Sequence, residues 1–550
     1  MRTFGCGCIA VAERYVMVWV KKITRAIRMV RMFGISNIWF VAQKRYQDRR
    51  GRVNTVFPTE QDKKKILKDI KKRKTVFAVL INRENIRDNV HHEELSNIKD
   101  QLYKNFHVYE VGNNSDNTDM LDSELWNRTI SRCEEDYLIL CGSEIKFTPT
   151  ALWEFSRKID ETGAELLYSD ECRGGKAIYK PDFGIDTFLA QNYLGDVLCI
   201  KAESLKTIGG LEEKNIRDYF SEIILRIYEK NNSIVHIPEV LFSSVVSFDY
   251  SPVNQRVIER HRDSLRLAKT LTKHPLVSII IPNKDHVEIL EQCIRSVVEK
   301  SSYDCYEILV IENNSTEQKT FDYYKKLEKD KRIHVITCVT DWNYSYINNF
   351  GVKQARGEYL LFLNNDTEVI APDWMEQMLL FAQRPDVGAV GAKLFYPDGT
   401  IQHGGVTLGV RGVAGHAFHG EAGDSPGYMN RLITVQNLSA VTAACMMVPA
   451  RVFREVGGFD ESYRVAFNDT DLCMRIRKAG HLIVYNPKVQ LYHYESKSRG
   501  KDEESLEKRK RFSREVKRFQ RQWCKELTMG DPYYNPHLSL QNDEFSYREV

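Results

Sequence analysis

The sequence predicts an α/β protein in which one nucleotide-binding, Rossmann-like fold occurs twice behind a basic helical arm. Three observations lead there. Short β-branched runs that end in polar residues alternate with segments of helical spacing. Four short strings recur in the same order in the two halves of the chain. Positive charge is concentrated at the N-terminus. The 550 residues leave room for three to four domains at about 150 residues each. With 42% apolar and 28% charged residues and a net charge of +4, the composition is that of a globular protein. It excludes a disordered chain, a collagen-like chain and a polytopic membrane protein.

The arm and linker come first, residues 1–73. Residues 1–75 carry 20 Lys/Arg and 5 Asp/Glu, a net +15, so the rest sums to 4 − 15 = −11. A basic device on a mildly acidic body points to an anionic partner. Lys21, Lys22, Arg25 and Arg28 share one helical face and Ile23, Ile27 and Val30 another. Such a helix either lies on an anionic membrane or packs on the body. Glu13 and Arg14 interrupt the apolar start, which makes it a poor signal peptide. Residues 50–74, with Lys63, Lys64, Lys65, Lys71 and Lys72, read as a linker or polar helix. The uncharged stretch Leu432 to Ala450 is too polar to span a bilayer and reads as buried core. The 12 Cys are scattered, with no Cys-x-x-Cys, as in a reduced cytoplasmic protein.

The later copy, 263–500, is the clearer one. Val277–Ile281 is a strand buried on both faces, stopped by Pro282. Ile289, Leu290, Cys293, Ile294 and Val297 have helical spacing; Tyr306–Ile311 and Ile333–Ile336 are strands; a helix near Tyr346–Ala355 leads to the strand Tyr359–Leu363. This is β-α-β-α-β with parallel strands, whose ligands bind at the carboxyl ends. Polar residues gather there: Asn283 and Asp285, then Glu312, then Asn364, Asn365 and Asp366. The earlier copy, 74–262, echoes it. Gly112-Asn113-Asn114-Ser115 matches Glu312–Ser315, and Tyr137–Leu140 matches Tyr359–Phe362. Ile208-Gly209-Gly210 matches Val456–Gly458, and Ile234–Pro238 matches Ile483–Pro487. Residues 501–550 form a C-terminal helix and tail.

Three positions carry chemistry. Asp366, just past a buried strand, suits a hard divalent cation that also takes diphosphate oxygens, or else an Asx turn. Asp469, in Asn468-Asp469-Thr470-Asp471, sits where a helix begins. It suits a general base, and either Asn468 or Asp469 suits the helix cap. His493 follows a strand-like run; alone, a histidine is more often structural than a ligand. His403, His416 and His419 fall in a Gly-rich stretch, Gln402 to Gly420, whose spacing fits no closed zinc site and reads as a flexible acceptor loop.

Over about Pro275 to Gly500 the chain resembles the family 2 glycosyltransferases of the inverting GT-A type. The strings that carry this are Asn348-Asn349-Phe350-Gly351, Gly357 through Val369, Val456-Gly457-Gly458-Phe459-Asp460, and His493 through Gly500. Asp531-Pro532-Tyr533-Tyr534-Asn535-Pro536-His537-Leu538-Ser539-Leu540 looks like the tail of bacterial members that build O-antigen or cell-wall polysaccharides, the rhamnosyl-type transferases among them. The resemblance implies two tandem GT-A (nucleotide-diphospho-sugar transferase) domains. It assigns Pro282, Asn283, Asp285, Glu312, Asn349, Asn364 and Asn365 to the nucleotide-sugar. Asp366 and His493 become ligands of Mg²⁺ or Mn²⁺, with Asn364 replacing the first acid of an Asp-x-Asp motif, and Asp469 becomes the catalytic base. The first copy departs from the pattern: Cys141-Gly142-Ser143-Glu144 has no Asp-x-Asp, and Asp218 falls out of register. It is expected to be degenerate and to serve acceptor binding or packing.

The function expected is metal-dependent transfer of a sugar, dTDP-rhamnose being the favoured donor, to a growing surface polysaccharide or lipid-linked acceptor. The expected place is the cytoplasmic face of the cell membrane, with peripheral contact through the arm. The alternative is a non-catalytic carbohydrate-binding or scaffold protein of a polysaccharide assembly complex. Nucleic acid is not expected as a partner, since no aromatic interleaving or known motif accompanies the basic arm.

Overall fold

A computed structural model describes residues 59–82, 88–112, 123–142, 144–211, 213, 215–244, 250–267, 270–271, 273–494, 505–542 and 544–548. The amphipathic helix expected at 21–33, the echo at 113–115 and the string 495–500 lie outside them. The linker's described part is a helix, Glu60–Ile70, started by Thr59, whose hydroxyl accepts from the amide of Asp62 at 3.2 Å.

The first sheet contains β1 (Phe77–Asn82), β2 (Phe106–Val111), β3 (Tyr137–Cys141), β4 (Ile145–Phe147), β5 (Leu166–Arg173), β6 (Lys176–Ile178), β7 (Val197–Lys201) and β8 (Ile234–Ser244). Its order is β2-β1-β3-β7-β5-β8-β4, with β6 paired to β5. The second half supplies β9 (Val277–Asn283), β10 (Tyr306–Glu312), β11 (Ile333–Thr337), β12 (Tyr359–Leu363), β13 (Thr367–Val369), β14 (Val387–Phe395), β15 (Ile401–His403), β16 (Val406–Leu408), β17 (Ala414–His416), β18 (Gln436–Leu438), β19 (Cys445–Pro449) and β20 (Leu482–His493). The order here is β11-β10-β9-β12-β19-β14-β20-β13, with β15 on β14 and β18 on β20. Strands β16 and β17 form a separate hairpin.

The two sheets share one plan. Reading β2, β1, β3, β7, β5, β8 and β4 against β10, β9, β12, β19, β14, β20 and β13, every neighbouring pair has the same sense. Three pairs are parallel (β1–β2, β1–β3, β5–β8) and three antiparallel (β3–β7, β5–β7, β4–β8), and the second sheet repeats this. Each sheet is therefore mixed. The parallel run expected from β9 to β12 is present, but β19 then joins β12 antiparallel.

Burial explains the strand signal. All seven residues of β9 are buried. Val277, Ile279 and Ile281 face one core and Ile280 the other, so both faces are covered by helices, and each such side chain contributes about 1.5–3 kcal/mol. Of Leu432–Ala450, expected as core, residues 436–450 are buried throughout, whereas Ile433 is 52% exposed.

The two sheets are joined by a polar interface with little access to water. Arg384 pairs with Asp186, which begins the helix Ile185–Ala190, and with Asp386 at 2.7 Å. Asn437 of β18 donates to Asp186 at 2.8 Å and accepts from its amide at 2.8 Å. The C-terminal segment then straps across. Asp531 accepts from Ser439 at 2.6 Å and from the amide of Leu408 at 2.7 Å. Asn535 donates to both oxygens of the fully buried Asp170 at 3.1 and 2.9 Å.

Candidate functional site

The chain leaves β9 through Pro282 and turns at Asp285 and His286, both left-handed (φ 49° and 52°). That costs about 1–2 kcal/mol per non-glycine residue and is held by Asp285 itself. Its carboxylate accepts from the amides of Thr316 and Glu317 at 2.8 and 2.9 Å. Burial opposes the charge, but these amides outweigh it and hold the carboxyl below its usual value. Glu312, at the end of β10, accepts from the amide of Ser315 at 2.6 Å. Asn283 accepts from Asn365 at 2.6 Å and donates to Tyr324 at 2.8 Å. Asn283 and Glu312 thus shape the loops beneath the site.

At the end of β12 the amide of Asn364 donates to the carbonyl of Ala444 at 3.0 Å. Asp366 then precedes β13, whose Thr367 stands in register with His493 on β20. This pairing, 129 residues apart for Asn364 and His493, creates the contact. His493 Nε2 lies 3.2 Å from Asp366 Oδ1 and 3.3 Å from Asn364 Nδ2. Both side chains are 7% exposed.

Asp469 lies in the first turn of the helix Asn468–Lys478. Its Oδ1 accepts from the amide of Thr470 at 2.7 Å and its Oδ2 from the amide of Ala443 at 3.2 Å. Neither Asn468 nor Asp469 is the cap. That position belongs to Phe467, left-handed at φ 63° and without a side-chain cap bond. Packing supports the strain: Phe467 stacks on Phe512 and Phe519 at 5.8 and 5.1 Å. Both come from the helix Leu506–Gln522, whose Glu515 accepts from the amides of Val465 and Ala466 at 3.0 and 3.3 Å. The buried Asp471 completes the clamp by accepting from Gln522 and Trp523 at 2.7 and 3.0 Å. The C-terminal helix, expected as a separate segment, is thus built into the site. Its amphipathic spacing of Phe512, Val516 and Phe519 was the available signal.

Pro282, Asp285, Asn364, Asn365, Asp366, Asp469 and His493 all line one cavity of about 640 Å³. Trp342, Tyr344 and Lys284, which were not expected, line it too, as does His416 of the stretch expected as an acceptor loop. Asn349 does not. Its amide donates to the carbonyl of Phe459 at 2.9 Å and its oxygen accepts from the Phe459 amide at 3.0 Å. It pins a turn at Gly458, where φ is 71° and a Cβ would stand 2.8 Å from Asn349 Oδ1. Gln402–Gly420 is not a loose loop: it forms β15, β16 and β17, and His403 is fully buried. Burial, then the neighbouring His416 and His493, push His403 well below its usual pKa. His419 instead meets Tyr396 at 2.8 Å.

Asp366 and His493 supply an oxygen and a nitrogen at one point, and among the described residues His493 Nδ1 has no hydrogen-bond partner. No group of three or more His, Cys, Asp or Glu is placed to hold a metal among the described residues. The pair therefore fits a hard cation that draws its other ligands from water or an anionic ligand, and not a closed structural site.

Residues 278–457 match the model of "Glycosyl transferase family 2". This segment is a family 2 glycosyltransferase domain. The matched residues fall in the second, mixed α/β sheet. An uncharacterized protein of Sinorhizobium fredii is 37% identical over 468 residues, covering 77% of this chain and 50% of that protein. The O-antigen biosynthesis protein RfbC of Myxococcus xanthus is 33% identical over 450 residues, covering 75% of this chain and 34% of that protein. An N-acetylglucosaminyl-diphospho-decaprenol L-rhamnosyltransferase of Mycobacterium tuberculosis is 28% identical over 153 residues, 26% of this chain and 50% of that one. The chain thus spans half or less of the length of these relatives. No described helix is long and apolar enough to cross a membrane.

Strand register gives the first sheet's counterparts. Ile145 pairs with Ser244 as Thr367 pairs with His493, so Glu144 stands where Asp366 does and Ser244 where His493 does. The amide of Gly142 donates to the carbonyl of Asp196 at 2.7 Å, as Asn364 does to Ala444. Asp196 is itself paired with Arg173 at 2.7 Å, and Arg173 with the buried Glu171 at 3.0 Å.

Proposed function

We propose that this chain is a metal-dependent inverting glycosyltransferase that moves a sugar from a nucleotide-sugar to a surface polysaccharide or a lipid-linked acceptor. The observation that carries the reading is the single cavity in which Asp366, His493 and Asp469 meet, from three distant parts of the chain. Asp469 holds Oδ1 against Thr470 and keeps Oδ2 on a weaker 3.2 Å bond. A carboxylate so oriented takes the proton of an acceptor hydroxyl. The hydroxyl oxygen forms its bond to the anomeric carbon from the face opposite the nucleotide. The bond from that carbon to the diphosphate oxygen breaks, and the electron pair leaves with the diphosphate. Asp366 and His493 would hold a divalent cation, Mg²⁺ or Mn²⁺, which when bound supplies the positive charge that the leaving diphosphate needs. Asp285 and Pro282 shape the nucleoside end of the cavity, with Asn283, Glu312 and Asn365 bracing it.

The first unit, 74–262, is in this reading a second GT-A-like domain without catalysis, followed by the catalytic unit 263–500. The common strand plan supports a duplicated fold, and the Glu144–Ser244 substitution at the ligand positions supports loss of activity. The rhamnosyltransferase among the relatives favours rhamnose as the sugar and the O-antigen protein a cell-surface glycan as product; dTDP-rhamnose is the donor proposed, and the inner membrane face the place proposed. The scaffold alternative is less favoured, because a binding protein has no need of a buried His–Asp pair beside a clamped carboxylate.

The test is release of nucleoside diphosphate from a panel of sugar nucleotides, with and without Mn²⁺. Release from one donor, dependent on metal and acceptor, is expected. No release from any donor, with sugar binding intact, would favour the scaffold.

A further inference from the structure

The helix Leu506–Gln522 has two faces with different occupants. Inward, Phe512 lines the cavity, while Glu515 and Phe519 hold the lining residues Val465, Ala466 and Phe467. Outward, Lys510, Arg514, Lys517 and Arg521 are exposed and recur at i, i+4, i+7 and i+11, one continuous stripe. Arg518 lies beside it but is occupied, paired with Asp460 at 3.1 Å and laid over the Tyr463 ring at 5.5 Å. Among the described residues, none of the four stripe cations is in an ion pair. At about 1.5 Å per residue the stripe is roughly 17 Å long. Leu506, 66% exposed, stands one turn before Lys510 on the same face.

We infer that this outer face is a contact surface for an anionic lipid bilayer. Four cations in line match a plane of phosphate headgroups, and each contributes at such a surface. The long stems of Lys and Arg lie along apolar surface while the charges reach the headgroups. Leu506 decides between a membrane and a soluble polyanion, because an exposed leucine in line with the charges gains nothing from a polyanion and is buried by the acyl boundary. A helix is about 10–12 Å across, so the cavity rim, on the other side of the same helix, would stand about that far from the headgroups. That last consequence rests on the proposed transferase reading, since it places the site at the height of a lipid-carried acceptor; the lipid contact itself does not.

The experiment is co-sedimentation of the full chain with vesicles of phosphatidylcholine alone or mixed with phosphatidylglycerol. The variants are K510Q/R514Q/K517Q/R521Q, its four single substitutions, and K21Q/K22Q/R25Q/R28Q in the N-terminal arm. The helix variant is expected to lose about tenfold or more of its partition onto phosphatidylglycerol vesicles, with graded losses in the single variants and an unchanged melting temperature. Leu506→Ser should lower partition further. Unchanged partition in the helix variant, loss in the arm variant alone, or equal retention of Leu506→Ser with full displacement by a soluble polyanion would each overturn the inference. Absence of nucleoside diphosphate release by the unaltered chain would count against the transferase reading and leave the vesicle result standing.

Discussion

Asp469→Asn separates base chemistry from structure. The change keeps the side chain's shape and one acceptor. The retained oxygen stays on the shorter 2.7 Å bond from Thr470, which leaves the new NH₂ facing the amide of Ala443, 3.2 Å from the present Oδ2. Two donors then face each other, and one weak hydrogen bond is lost, at a cost of about 1 kcal/mol. Unfolding in urea should therefore shift by about that amount. Transfer should fall by about 10²–10⁴, the usual contribution of a general base, which is about 3–5 kcal/mol in the barrier. The assay pairs nucleoside diphosphate release at saturating acceptor with donor affinity by calorimetry. Affinity should be unchanged, because in the proposed reading Asp469 meets the acceptor and not the nucleotide. Turnover within about threefold of the parent would refute the base assignment, and a drop in kcat matched by a comparable loss of stability would refute the argument from geometry.

Asp366→Ala and His493→Ala should each abolish metal-stimulated release, and tryptophan fluorescence titrated with Mn²⁺ should show weakened binding in both. Glu144→Gln in the first unit should leave single-sugar transfer nearly unchanged; a large loss would show that this unit also catalyses. Arg384→Met leaves Asp186 buried without its cation and should cost about 3–5 kcal/mol in denaturant unfolding, with domain separation visible in the small-angle scattering profile. Burial alone would raise the pKa of Glu222, but hydrogen bonds from His261 and Arg226 and the charge of Arg260 bring it down to about 2. Its stabilisation is therefore present above the ordinary glutamate value of 4.5 and is lost as pH falls toward about 2. Glu222→Gln should flatten the acid limb of the melting-temperature profile in that window.

The strands were legible because their signals are local, whereas the meeting of Asp366 and His493 was implied only by the family resemblance. A β-branched run buried on both faces marks β9 and β10, a run of Leu and Phe marks β12, and polar residues past a strand mark the site edge. Four short echoes accompany the common strand plan of the two sheets, yet only strand register aligns Glu144 with Asp366 and Ser244 with His493. What escaped depends on partners far along the chain. Asn349 resembles a ligand by motif, but its role is fixed by Phe459, 110 residues later. Helix-start rules point to Asn468 or Asp469, yet the chain places Phe467 there, because two aromatic rings from the C-terminal helix make a left-handed phenylalanine affordable. The glycines between Gln402 and Gly420 suggest looseness, whereas their small size lets β15 and the β16–β17 hairpin pack closely: a Cβ on Gly404 would stand 2.5 Å from Leu432.

The bond between Asn535 and Asp170 spans 365 positions. At ribosomal speeds of about 5–20 residues per second, Asp170 emerges roughly 20–70 s before the amide that satisfies it. In that interval its buried carboxylate has His236 at 2.9 Å but not the strap. The first sheet therefore cannot reach its final state on its own timetable. A nascent chain cut short before residue 535 should resemble a lock with its bolt missing: the leading half nearly complete, but an easy target for proteolysis.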